Sequence, residues 1–211
     1  MSGDVAIDAW LTEQGYGLPP TRERSRAALE ENGLTQTGKL RISDEKLPRI
    51  AALLRSTFCL HCPTPECVAF ARGTGREPLA CNPKSTCERC GGSDNRRAAT
   101  DLIEACAIAG VSKVVIVGGS PAVREELDAA LGKALQLRMV DGTERRTIEH
   151  SKADMQWGDL VLLWGASELH HKVSMQYTNL TQPQWKRKLV RVQQRGVAAL
   201  LQAAVEHLKP N

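Results

Sequence analysis

The chain has 211 residues, with 28 Lys+Arg against 24 Asp+Glu for a formal charge of +4, and 42% hydrophobic residues. It is too apolar and too evenly charged for global disorder, and its longest apolar runs, Val114–Val117 and Leu160–Trp164, fall far short of the roughly 20 residues that span a bilayer. The opening Met-Ser-Gly-Asp-Val carries an acid and no basic n-region, so a cytoplasmic protein without signal peptide or membrane contact is expected.

Residues 1–57 read as a helical segment. A first helix is expected around Val5–Thr12. Thr21 is a plausible N-cap for a second, running to Asn32 with Gly33 closing it. Ser43 with Asp44 and Glu45 starts a third, which carries Leu47, Ile50, Leu53 and Leu54 on one face. The link over residues 34–42 is too long for a helix-turn-helix. Residues 1–58 hold eight basic and eight acidic side chains. Packing against a protein partner or a second copy is therefore preferred over DNA reading for residues 1–57.

Residues 58–92 carry six of the seven cysteines, as Cys59-Leu-His-Cys62-Pro-Thr-Pro-Glu-Cys67, then Cys81, then Cys87-Glu-Arg-Cys90-Gly-Gly. An odd total, clustered in one window with no export signal, argues against a disulfide framework and for a reducing cytosol. Two CxxC pairs form a zinc-ribbon-like pattern, because two thiolates three residues apart in a tight turn hold one side of a tetrahedral ion. Cys87 and Cys90 are one pair. Cys62 completes the set with either Cys59 or Cys67, and His61 and Cys81 are further candidates. The Gly pair after Cys90 lets backbone amides turn toward sulfur. A closed thiolate site leaves no position for substrate, so the expected cofactor is a structural Zn²⁺ that replaces a core too small to form alone. Phe58–His61 and Glu77–Cys81 read as short strands with a turn at Arg72–Gly75. Ser93 then caps a helix over Asp94–Ala109, so the module runs into the next domain without a flexible linker and is expected to be docked. Cys106 on that helix reads as a small core residue.

Residues 93–211 alternate strand and helix. The apolar run Lys113–Val117 suits a parallel strand buried on both faces. Gly118-Gly119-Ser120-Pro121 opens a helix at about Ala122–Ala134. Strand Leu135–Val140, the turn Asp141-Gly142, and helix Thr147–Met155 follow. Strand Leu160–Trp164 then leads through Gly165-Ala-Ser167 to a helix over Glu168–Tyr177. Strand Lys188–Val192 and helix Val197–Leu208 finish the chain. The expected fold class is α/β: a small doubly wound, Rossmann-like parallel sheet preceded by the helical segment and the zinc-ribbon-like module.

Ligands of such sheets sit beyond the carboxyl ends of the strands. The candidate ligand-binding residues are therefore Gly118, Gly119, Ser120, Asp141, Trp164, Ser167, His171 and Lys172. The Gly118–Ser120 turn favours an anion at a helix N-terminus. The glycine fingerprint of dinucleotide folds is absent, since Ser120 and Val123 stand where its other glycines would fall. From Thr181 to Asn211 there are six basic residues and one acid, against eight and eleven over residues 101–180. Trp185, Lys186, Arg187, Lys188 and Arg191 are the candidate nucleic-acid contacts, a cation cluster beside an aromatic. These features favour a binding protein for a phosphate-bearing ligand, nucleic acid before free nucleotide. An enzyme acting on a nucleotide or phosphoester through Asp141, Ser167 and His171, and a non-enzymatic subunit of a larger assembly, are the alternatives. The segments VVIVGGS (114–120), DLVLLW (159–164) and HKVSMQY (171–177) resemble small bacterial Rossmann-like domains of unknown function. That resemblance implies the fold and no particular activity.

Overall fold

The computed structural model describes residues 3–144, 146–167, 169–180 and 182–209. The chain divides into two compact units, Met1–Ser93 and Asp94–Asn211.

The first unit begins with strand β1 (Asp4–Ala6), paired antiparallel with β2 (Arg41–Ser43). Helices α1 (Ile7–Glu13), α2 (Pro19–Glu31) and α3 (Leu47–Thr57) follow in chain order around that pair. Residues 4–6 are extended because β2 takes up their backbone groups, although the expected first helix begins at Val5. Helix α2 starts earlier than expected. Pro19 and Pro20 open it, with no N–H to lose in the first turn. Thr21 is then free to donate its hydroxyl to the Ala80 carbonyl at 2.8 Å instead of capping.

Strands β3 (Phe58–His61) and β4 (Glu77–Ala80) pair parallel. Parallel strands cannot be joined by a tight turn, and helix α4 (Pro65–Gly73) makes the connection. The turn expected at residues 72–75 is thus the end of that helix. One hydrophobic cluster joins Ile7, Leu11, Leu29, Ile50, Leu54 and Phe58 to Cys62, Cys67, Cys87 and Cys90. The helical segment and the cysteine module share this core.

The second unit is a three-layer α/β structure. Its elements are α5 (Asp94–Ala109), β5 (Lys113–Val117), α6 (Pro121–Leu131), β6 (Gln136–Val140), α7 (Ile148–Trp157), β7 (Leu160–Trp164), α8 (His171–Thr178), α9 (Pro183–Lys186), β8 (Leu189–Val192) and α10 (Val197–Leu208). The four strands are all parallel, in the order β6-β5-β7-β8. Alternate strand residues face opposite ways. Val114, Ile116, Leu160 and Leu162 pack with α5, α6 and α10, and Cys106 lies in that layer as expected. Val115, Val117, Val161 and Leu163 pack with Met155, Val173 and Tyr177 from α7 and α8. Helices on both faces explain why β5 and β7 read as unbroken apolar runs.

Helix α8 begins at His171, with His170 as its N-cap accepting from the Lys172 amide at 3.3 Å. The expected start at Glu168 lies outside the described residues. Helix α7 begins after Thr147, which forms a capping box with His150. No helix among the described residues is long and apolar enough to cross a membrane.

Candidate metal centre

Cys62, Cys67, Cys87 and Cys90 bring four buried sulfurs within 4.8 Å of one another. Zn–S bonds of about 2.3 Å in a tetrahedron set its edges at about 3.8 Å. The Cys62 and Cys90 sulfurs are 3.7 Å apart. The donor set and its dimensions therefore fit one tetrahedral metal ion.

Each ligand is placed by a local element. Cys62 follows β3 directly, and Cys67 lies in the first turn of α4, its amide donating to the Thr64 carbonyl at 3.0 Å. Cys87 and Cys90 occupy the loop after β4. Gly91 and Gly92 have φ of 55° and 77°, the left-handed region open to glycine. The Gly92 amide donates to Cys90 Sγ at 3.3 Å, as the glycine pair led one to expect.

A brace holds the two halves of the centre together. Glu88 Oε1 accepts from the Leu60 amide at 3.0 Å, and the Glu88 amide donates to the Leu60 carbonyl at 3.0 Å. Arg76 donates to Glu88 Oε2 at 2.7 Å and to the Phe58 carbonyl at 3.0 Å. Neither Arg76 nor Glu88 was among the residues singled out from the sequence. The only available signal was the position of Glu88 inside the Cys87–Cys90 turn.

The thiols are not equivalent. Burial pushes Cys62 up, but hydrogen bonds from the Thr64 hydroxyl and amide, Cys67 and Cys90 bring it down to about 6. Burial raises Cys67 and Cys90. Cys59 and Cys81, also buried, lie outside the group of four. Burial raises Cys59, and pushes Cys81 up to about 11. Of the two partners proposed for Cys62, Cys67 is the one at the cluster. His61 Nδ1 is 3.0 Å from the Cys62 carbonyl oxygen, and His61 is not one of the four.

In the second unit the strand order reverses between β5 and β7, which opens a crevice at the carboxyl ends. Gly119, Ser120, Val123, Trp164, Ser167 and Arg195 line an open groove of about 430 Å³ there. Gly118 has φ of 110°, and a Cβ on it would meet Ser167 Oγ at 2.4 Å. Ser167 Oγ accepts from the Gly119 amide at 2.9 Å and donates to the Trp164 carbonyl at 2.7 Å. Trp164 Nε1 donates to the Gln194 carbonyl at 2.9 Å. Ser120 occupies the N-cap of α6, and its hydroxyl makes no cap bond.

The remaining expected ligand residues do not enter that groove. Lys172 lines a separate hollow of about 310 Å³ with Thr143, Arg146, His170 and Gln176, and His171 is exposed and lines neither. Asp141 is committed within the protein. Its carboxylate accepts from the Thr143 hydroxyl at 2.6 Å, the Thr143 amide at 2.8 Å and Arg124 at 2.9 Å. The Thr143 hydroxyl foremost, then its amide and Arg124, hold the carboxyl down at about 2. Because the folded value is depressed, this contact stabilises the fold above the unfolded carboxyl value of about 3.9, and the contribution disappears as pH falls through about 2. Carboxyl-carbon NMR should show Asp141 titrating near that lower value. Thr143→Val should move the midpoint up toward the ordinary range, and an unchanged midpoint would refute this account.

Two of the expected nucleic-acid residues are occupied otherwise. Trp185 is 7% exposed and packs in the core with Leu180 and Leu189, so its ring has no face for a base. An indole just before a basic stretch reads as a stacking platform in sequence, but here it packs into the core beneath the edge strand. Lys188 donates to the Gly158 carbonyl at 2.7 Å, and burial lowers its pKa. Lys186, Arg187 and Arg191 are exposed.

Comparison with family models, curated proteins and solved structures finds no match to this chain.

Proposed function

We propose that the chain is a zinc-stabilised binding protein whose second unit takes a phosphate-bearing ligand at the carboxyl ends of its strands. One observation carries this reading. The open first turn of α6 and the guanidinium of Arg195, which has no ion pair among the described residues, line the same groove at the sheet's reversal point. Free amides at a helix N-terminus and a spare cation are complementary to a phosphate group. The four thiols support Zn²⁺ as the structural ion of the first unit. Metal-ligating thiols also suit a reducing compartment such as the cytoplasm.

Nucleic acid is the favoured form of the ligand, because Lys186 and Arg187 at the end of α9 and Arg191 in the edge strand β8 add exposed cations on the stretch of chain that leads to Arg195. Fluorescence titration with single-stranded DNA, RNA and a free nucleotide at two salt concentrations tests this. Four phosphate contacts, Arg195 included, predict a salt slope of about −3 on a single strand. Alanine at Lys186, Arg187 and Arg191 should flatten that slope, and Arg195→Gln should weaken nucleic acid and nucleotide alike. Equal nucleotide and polymer affinities would remove the nucleic-acid preference. No binding of any phosphate compound at low salt would remove the whole reading.

A further inference from the structure

The first unit holds a cleft of about 270 Å³ that none of the four metal-site cysteines lines. Trp10, Leu54 and Leu60 form its apolar walls. Tyr16 is 4% exposed, and its ring is fixed edge-on against Phe58 at 6.3 Å between centroids. Its hydroxyl lines the cleft with no hydrogen-bond partner among the described residues. The oxygen is not among the buried unpartnered atoms, so it opens onto the cleft, where a ligand can replace water as its hydrogen-bond partner.

The charges around it leave one cation over. Arg76 is neutralised by Glu88 at 2.7 Å. Arg55 lines the same cleft, is exposed, and has no ion pair among the described residues. Burial first and Glu88 second push the Tyr16 phenol up to about 12, so it is a neutral donor near pH 7. The polar side of the cleft therefore offers one spare guanidinium and one O–H donor. A carboxylate is the anion that a guanidinium meets with two parallel hydrogen bonds. A phosphate dianion would bring a second negative charge beside Glu88 and set it against indole and leucine walls.

We propose that this cleft is a binding site for a small monocarboxylate with an apolar body, aromatic or branched, whose carboxylate meets Arg55 and Tyr16 and whose body lies against Trp10 and Leu60. The volume lies just below the usual range for drug-sized ligands, which limits the body to about one ring. The site is independent of the phosphate-binding reading of the second unit.

Amide-resolved NMR titration of the full chain with benzoate tests it, with benzyl alcohol and inorganic phosphate as comparators. Benzoate should saturate with a Kd of about 0.1–1 mM and shift the Trp10 indole and Gln14 side-chain signals, while both comparators bind at least about tenfold more weakly. Arg55→Gln should weaken benzoate about tenfold without disturbing the rest of the spectrum, since Arg55 is exposed. Tyr16→Phe should weaken it several-fold, and Arg195→Gln should leave it unchanged. The proposal is overturned if benzoate shows no saturable shift, if benzyl alcohol or phosphate binds as tightly, or if Arg55→Gln has no effect.

Discussion

Replacing Cys87 by Ser is expected to abolish metal binding and to unfold residues 1–93 while residues 94–211 keep their structure. Cys87 is 3% exposed and belongs both to the four-sulfur group and to the core shared by α1, α2 and α3. Losing one of four thiolates opens the coordination shell, and apparent binding energies of structural Zn²⁺ reach about 10–16 kcal/mol in small metal-folded modules. The protein as purified should carry about one Zn per chain, and the variant little or none. Urea unfolding should show that the variant lacks the first unit's transition and keeps the second's, because each unit has its own core. Cys59→Ser and Cys106→Ser serve as comparators and should retain the metal. A Cys87→Ser protein that still binds one equivalent, or a wild-type protein with none, would remove the metal centre from this account.

Asp154→Ala should destabilise the second unit by about 3–5 kcal/mol, the usual cost of stranding a buried charge network. Asp154 is 1% exposed. Its carboxylate accepts from Arg138 of β6 at 2.9 Å and from the Tyr177 hydroxyl of α8 at 2.6 Å, and pairs with Arg146 at 3.2 Å. One side chain on α7 thus ties together a strand, a neighbouring helix and the segment before α7. Its removal leaves a fully buried phenol and two guanidiniums without their acceptor, although Arg138 keeps its stack on Trp157 at 4.3 Å. Against a total stability of about 5–15 kcal/mol, the variant should unfold at markedly lower urea, with Asp154→Asn intermediate. A loss below about 1 kcal/mol would show that water replaces the carboxylate, contrary to its burial here.

The sequence carried the second unit's layout well, because β5 and β7 are buried on both faces and their apolar runs leave few other options. The α6 start was legible from Ser120-Pro121, and the Gly91-Gly92 turn from its place after Cys90. The first unit was harder. Its residues 4–6 are set by β2, some 37 residues away, which no local pattern reveals. A parallel β3–β4 pair likewise depends on a helix that the cysteine spacing obscured. For the metal site the spacing gave the four ligands within a leading set of five, with His61 and Cys81 as further candidates, and only the packing of Cys67 in the first turn of α4 distinguished it from Cys59. At the strand ends the glycines and serines were legible from position. Whether a polar side chain is free, like Arg195, or spent, like Asp141 and Lys188, depends on neighbours far along the chain. Trp185 shows the same limit for an aromatic residue.

Metal binding at the four-sulfur site would also change the electrical character of the chain. Counting only ordinary acids and bases, residues 1–93 hold twelve Lys+Arg and eleven Asp+Glu, and residues 94–211 hold sixteen and thirteen. These give +1 and +3, matching the formal total of +4. Four thiolates around one divalent ion add −2 to the first unit alone. The metal-loaded protein then has a first unit of −1 and a second of +3, opposite in sign although the bare sequence makes both positive. A polyanion approaching from beyond the local contacts would be drawn to the second unit and gently turned away from the first. A metal bound there would thereby act as an electrostatic sorter as well as a fold stabiliser.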